Sequence, residues 1–175
     1  MAKAGKNIAL ADDIVPPKKS LFDRVADYLD ANDWRYRAVR ESAYFSMDCR
    51  IAEASVRVVL NVTEGDQLNR ILTLSVYPIF VPENRRVAVL KAMNEINFSL
   101  VFGCLEMDPA DGQVRFRTSV EADTDITGCM MDRVLHGNLA GADRHFAALM
   151  GAAFSVAEPE ASNEIVSRPH GATLQ

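Results

Sequence analysis

The sequence predicts an α+β domain: a five-stranded antiparallel sheet, made of a three-strand meander plus a hairpin, with helices on one face in the order α-β-β-β-α-β-β-α. Three observations carry this expectation. Apolar residues alternate with polar ones through three successive stretches between 45 and 81 and again through 114–120, the period of a strand with one covered face. Before, between and after those stretches they recur at steps of three and four, the period of a helix. The links between successive alternating stretches are too short for a crossover, so neighbouring strands run antiparallel.

The elements follow in order. Ser20 is an N-cap, and Leu21, Phe22, Val25, Tyr28 and Leu29 share one face of a first helix that ends near Asn32. Trp34 and Tyr36 then seal that helix against the sheet. Phe45, Met47, Cys49 and Ile51 form the covered face of a first strand, and Val56, Val58, Leu60 and Val62 that of a second. After the polar turn 64–69, ILTLSVYPIFV is a third strand, interrupted by Pro78 and stopped by Pro82. Pro82 and Glu83 open a second helix, where a missing N–H costs nothing and a negative charge suits the dipole; its apolar stripe is Val89, Leu90, Met93 and Ile96.

Asn97 closes that stripe, as a joint that bonds the unpaired carbonyls of the last turn and tolerates a left-handed backbone. FSLVFGCLEM, 98–107, is then a buried strand in which Gly103 marks a bulge or the close approach of another backbone. PADG, 109–112, turns the chain, with Gly112 free to take a positive φ, into a strand where Val114, Phe116 and Val120 alternate with Arg115, Arg117 and Ser119. Thr124 or Asp125 caps the last helical region, with Ile126, Met130 and Val134 inward and a break or kink at His136, Gly137 and Asn138. Residues 1–19 and 156–175 carry no period and are expected as flexible tails around a single domain, 20–155.

At 175 residues, 49% apolar and 25% charged, such a domain needs no metal or disulfide to fold. The net charge of −5 provides no general field for phosphates, so nucleic acid is not an expected partner. No run of apolar residues is long enough for a membrane helix, so no membrane partner is expected either. Cys49, Cys104 and Cys129 sit among apolar neighbours and read as buried, reduced thiols of a cytoplasmic protein.

No motif in the chain carries chemistry. Asp143 and His145, two apart on a helix, point to different faces and cannot chelate one ion. Asp132 and His136, four apart, can meet, as an exposed pair. Zinc spacings, glycine-rich phosphate loops and nucleophile elbows are absent. Gly137 and Gly141 allow close helix packing, and Arg85 and Arg86 read as a solvated helix start. The expectation is therefore no enzyme, no catalytic residue, no metal site and no cofactor.

The run VPENRRVAVLKAMNEINFSLVFGCLEMDPADGQVRFRTSV, 81–120, resembles the signature segment of the YbjN family. Pro82, Asn94, Asn97, Gly103, Asp108, Asp111, Gly112 and Arg117 match its pattern, and ADRHFAAL, 142–149, with Asp143, is similar to that of its last helix. The resemblance implies a fold similar to type III secretion chaperones, which are small acidic homodimers that hold an extended stretch of a partner, and a link to sensory or stress regulation. The leading expectation is a homodimeric protein-binding or regulatory module. Apolar residues on both strand faces agree with it: Val59, Leu72 and Val76 on one, Ile71 and Ile79 on the other. The rival is a small-molecule sensor or small enzyme with a pocket between helices and sheet, built from Asp48, Asp132 and His136. Nucleic-acid binding through Arg115 and Arg117 is a third reading, disfavoured by charge.

Overall fold

The computed structural model describes residues 19–65, 68–122 and 126–155. The segments expected as tails, apart from Lys19, and the cap expected at Thr124 or Asp125 lie outside these residues. The fold is α+β, and its single antiparallel sheet has six strands rather than five. The order is α1 (Leu21–Ala31), β1 (Arg37–Val39), β2 (Tyr44–Arg50), β3 (Ser55–Glu64), β4 (Asn69–Phe80), α2 (Arg86–Ser99), β5 (Cys104–Met107), β6 (Gln113–Ala122) and α3 (Gly128–Phe154). In space the strands run β1-β2-β3-β4-β6-β5, so the final hairpin is laid down with its second strand beside β4.

The extra strand, β1, is three residues long and mostly exposed, which leaves no alternation to detect in the sequence. It forms because the chain reverses at Ala43, held at φ 47°, and lays Arg37 to Val39 along β2. The long strands behave as their period predicts. Val58 of β3, Ser75 of β4 and Phe116 of β6 lie in one row, and this face carries the buried core with Phe45, Val56, Ile71 and Tyr77. Pro78 is exposed at a register irregularity between Val76 and Phe80, where its missing N–H does no harm.

Helix α1 starts at Ser20, whose hydroxyl accepts from the Asp23 amide at 3.1 Å, and it buries Leu21, Phe22, Val25 and Leu29. Trp34 and Tyr36 close its end: Tyr36 packs edge-on against Phe45 and donates to Asp30, while Trp34 lies over His136. The cap of α3 is Thr127, which accepts from Met130, and Ile126 is buried just before it. The expected break at 136–138 does not occur, and α3 is one continuous helix. Low propensity at Gly137 and Asn138 is overridden by packing. A Cβ on Gly141 would come within 2.4 Å of the Phe116 ring, so glycine lets the helix sit directly on the sheet. Asn138, wholly buried, then reaches β4 and β6.

Two further expectations need correction. The apolar run 98–107 is not one buried strand. α2 continues through Ser99, a loop carries Leu100 to Gly103, and only Cys104–Met107 pairs with β6. The thiols are not uniformly buried either: Cys129 is exposed on the first turn of α3, and Cys49 and Cys104 are half-buried.

Candidate interaction surfaces

Asn97 is a joint between α2 and β5, though it does not cap its own helix. Its side-chain amide donates to the Leu105 carbonyl at 3.0 Å, and its side-chain oxygen accepts from the Leu105 amide at 2.8 Å. The side chain thus imitates a neighbouring strand and occupies the outer edge of β5. The positive φ expected at Asn97 falls instead at Gly103, φ 82°, where a Cβ would lie 2.7 Å from the Phe116 ring and 2.9 Å from the Arg117 carbonyl. Replacing Asn97 by alanine leaves both Leu105 groups without their partner. The expected cost is about 1–3 kcal/mol, read as a lower urea midpoint with unchanged slope.

Most of the other signature residues shape turns and joints between elements. Pro82 precedes a 3-10 turn, Glu83–Arg85, and accepts from the Arg85 amide. Asp108 and Asp111 accept from the amides of Ala110 and Gln113, each at 2.9 Å, shaping the turn. Gly112, at φ 80°, accepts the Val81 amide on its carbonyl oxygen, with no room for a Cβ beside the Val81 carbonyl. Asp143 on α3 accepts from the Ala52 amide at 2.8 Å and pins the β2–β3 turn. Asn94 is exposed on α2. Arg85 and Arg86 are half-buried rather than merely solvated: Arg85 donates to the Ala152 carbonyl in the last turn of α3, and Arg86 to the Pro109 carbonyl.

The candidates for a reactive pocket do not converge. Asp48 stands on the open sheet face, paired with Arg57 at 3.2 Å. Asp132 and His136 lie on α3, 4.0 Å apart and both largely exposed, and Asp132 also accepts from the Tyr28 hydroxyl. They line a shallow depression with Phe102 and Gly137. Burial first, and then Asp132, raises the Tyr28 hydroxyl above its ordinary range. Among the described residues no group of three His, Cys, Asp or Glu side chains is placed to hold a metal ion.

His145 stacks on Phe116, with its Nε2 buried and without a hydrogen-bond partner. Burial, and then Arg144, lowers its pKa from 6.5, so the folded state favours the neutral ring. That contribution to stability is complete above 6.5 and is lost as pH falls from there through the folded pKa. A His145→Gln variant is expected to lose less stability than the parent between about pH 6.5 and pH 5 in urea titrations.

The polar cluster actually buried in the monomer was not foreseen. Thr73, Ser75, Thr118 and Asn138 meet between α3 and the sheet. The Asn138 side-chain oxygen accepts from Ser75 at 2.5 Å, and its amide nitrogen lies 3.1 Å from the Thr73 and Phe116 carbonyls and from the Thr118 hydroxyl. Thr118 in turn donates to the Val134 carbonyl. The signal available in the sequence is the placing of Ser75 and Thr118 at inward positions of their strands, where only a buried polar partner satisfies them; the Thr73 hydroxyl, buried beside them, has no partner among the described residues.

Among the described residues, two apolar surfaces remain without cover. On the open face of the sheet, Val59, Leu72, Leu74 and Val76 form a half-exposed stripe flanked by Arg57 and by Arg115 and Arg117, which both reach Glu106. On α2, Val89 and Met93 are buried, but Leu90, expected to face inward, is exposed. It joins Val87, Phe98 and Val101 in an outward line; Phe98 is 93% exposed and Val101 fully so. Val87, Leu90 and Phe98, three and eight residues apart with Asn94 midway in the longer gap, lie along one side of the helix, and Val101 follows in its exit.

An antiparallel sheet with helices on one face and two bare apolar surfaces defines the class of the molecule: an α+β scaffold whose polar side chains mostly bind its own elements together. The chain belongs to the YbjN family, described as "Putative bacterial sensory transduction regulator", which it matches over residues 21–150. The fold is that of a crystal structure of YbjN from E. coli, similar at 12% identity with a TM-score of 0.52, over 72% of this chain and 91% of that one. Two solved complexes, the second from a type III secretion system, are also similar. The HopA1-SchA chaperone-effector complex has 13% identity and a TM-score of 0.49, over 73% of this chain and 94% of that one. The heterodimeric ExoU-SpcU complex of Pseudomonas aeruginosa has 21% identity and a TM-score of 0.46, over 70% and 94%. No curated protein matches the sequence. Among the described residues no helix is long and apolar enough to cross a membrane.

Proposed function

We propose that this protein is a non-enzymatic protein-binding regulatory module of the cytoplasm that works as a homodimer and holds a segment of a protein client. One observation carries the reading: the outward line Val87, Leu90, Phe98 and Val101, a run of large apolar side chains left in water at one side of α2. A two-fold dimer places the same patch against itself, so one self-complementary stripe suffices to cover both copies. The stripe on the open sheet face is then left for a client. Membership of a family described as sensory transduction regulators supports a role in regulation. The three free thiols agree with a reducing compartment. Light scattering of the full chain at micromolar concentration tests the assembly: the expected mass is twice the 19.3 kDa of one chain, and a monomer there removes the reading.

A further inference from the structure

The two edges of the sheet differ. On β5 the Asn97 side chain takes both outward-facing groups of Leu105, and α2 lies alongside, so this edge is closed to another strand. On β1, among the described residues, only β2 pairs with the backbone of Arg37–Val39, and its outer side is bare. Beside that bare edge a groove of about 850 Å³ opens on the sheet face, lined by Arg35, Arg37, Tyr44, Asp48, Arg57 and Val59. Among the described residues Asp48 is the only carboxylate in its lining and is taken by Arg57 at 3.2 Å, which leaves Arg35 and Arg37 without an anionic partner there. Arg37 lies in β1 and Arg35 two residues before it, and both line the same groove with Tyr36 between them. In a chain of net charge −5 this local excess of cations beside an unpaired edge selects a partner opposite in charge to the protein as a whole.

We propose that the outer edge of β1 takes an extended acidic segment of a client protein as a further strand of the sheet, with carboxylates at alternate positions meeting Arg35 and Arg37. This inference rests on the reading of the protein as a client-binding module and names the chemistry of the client. Backbone pairing gives the segment its register, and the alternate carboxylates give it specificity, because residues two apart on the added strand face the groove together. A phosphate backbone also suits two arginines but has no N–H and C=O ladder to offer the bare edge, so a peptide is favoured over nucleic acid.

The probe is a fluorescent peptide of about ten residues alternating Thr and Glu, titrated with the full chain at low salt and read by anisotropy. The peptide is expected to bind, to weaken as salt is raised, and to weaken about tenfold or more against Arg35→Glu/Arg37→Glu. The same peptide N-methylated at every second residue keeps its charge and cannot pair, and is expected not to bind. A Thr-Lys peptide is expected not to bind either. The inference is overturned if the Thr-Glu peptide fails to bind, if it binds the double variant as well as the parent, if the N-methylated peptide binds equally, or if a single-stranded oligonucleotide of the same charge is preferred. Light scattering on the same samples separates the two claims. Peptide binding lost with the dimer intact removes the acidic strand alone, and peptide binding kept by a monomer removes the dimer alone.

Discussion

Replacing Asn138 by alanine is expected to lower the stability of the domain by about 3–4 kcal/mol, among the largest single-residue effects available in this chain. The side chain is wholly buried and serves four groups: it accepts from the Ser75 hydroxyl, and its amide faces the Thr73 and Phe116 carbonyls and the Thr118 hydroxyl. Truncation removes those contacts and leaves a hole where water does not readily reach. Each buried polar atom that loses its partner costs about 1–3 kcal/mol, although the carbonyls and Thr118 keep other partners, which holds the sum below a simple addition. Against a total of about 5–15 kcal/mol for a domain, this is a large fraction.

Two companion variants separate hydrogen bonding from packing at this position. Asn138→Leu restores volume without any polar atom and is expected to recover little, because the Ser75 hydroxyl loses its acceptor on the buried face of the sheet. Asn138→Asp keeps the acceptor for Ser75 but turns a carboxylate toward two carbonyl oxygens, so burial and these dipoles raise its folded pKa above the unfolded value. Its stability is therefore expected to be greatest at low pH and to be lost as pH rises through the folded pKa, the reverse of the trend expected from His145. Urea unfolding at neutral pH checks the set, and a loss below about 1 kcal/mol for the alanine variant would show that water or neighbouring groups replace the amide.

Parts of this architecture are plain in the residue pattern, and the reason is burial on one face. Residues 45–51, 56–62 and 114–120 alternate because each long strand covers the core with every second residue, and alternation survives wherever that holds. β1 has no covered face, so Arg37–Val39 reads as loop, and its strand character comes from β2 alone. The run 98–107 failed differently. Its apolar residues suggest a buried strand, yet Phe98 and Val101 face outward, and composition does not distinguish a core from an exposed apolar surface. At 136–138 intrinsic propensity argued for a break, while the need to bring the helix backbone close to Phe116 and to pair Thr73, Ser75 and Thr118 argued for continuity, and packing won. The signature residues Asn97, Gly103 and Gly112 were visible as positions. That Asn97 closes a sheet edge emerges only once α2 and β5 are side by side.

Charge placed on the outer side of α2 is expected to separate the proposed homodimer while leaving the monomer folded. Val101→Asp with Phe98→Gln removes two side chains that make almost no contact within their own chain, so unfolding of the variant monomer is expected to match the parent within about 0.5 kcal/mol. In a two-fold interface each substitution enters twice. Loss of a buried valine and phenylalanine from both copies, at about 1.5–3 kcal/mol for each side chain, is enough for a change of about a thousandfold or more in the dissociation constant. Aspartates brought together near the two-fold axis add like-charge repulsion that falls with salt. Sedimentation or light scattering of the variant should give the mass of one chain at concentrations where the parent has twice that mass. An unchanged dimer would move the interface elsewhere, most directly to the Val59, Leu72, Leu74 and Val76 stripe, and a client could no longer be assigned to that face. Which of the two bare surfaces belongs to the second copy therefore decides which is left to recognise a partner.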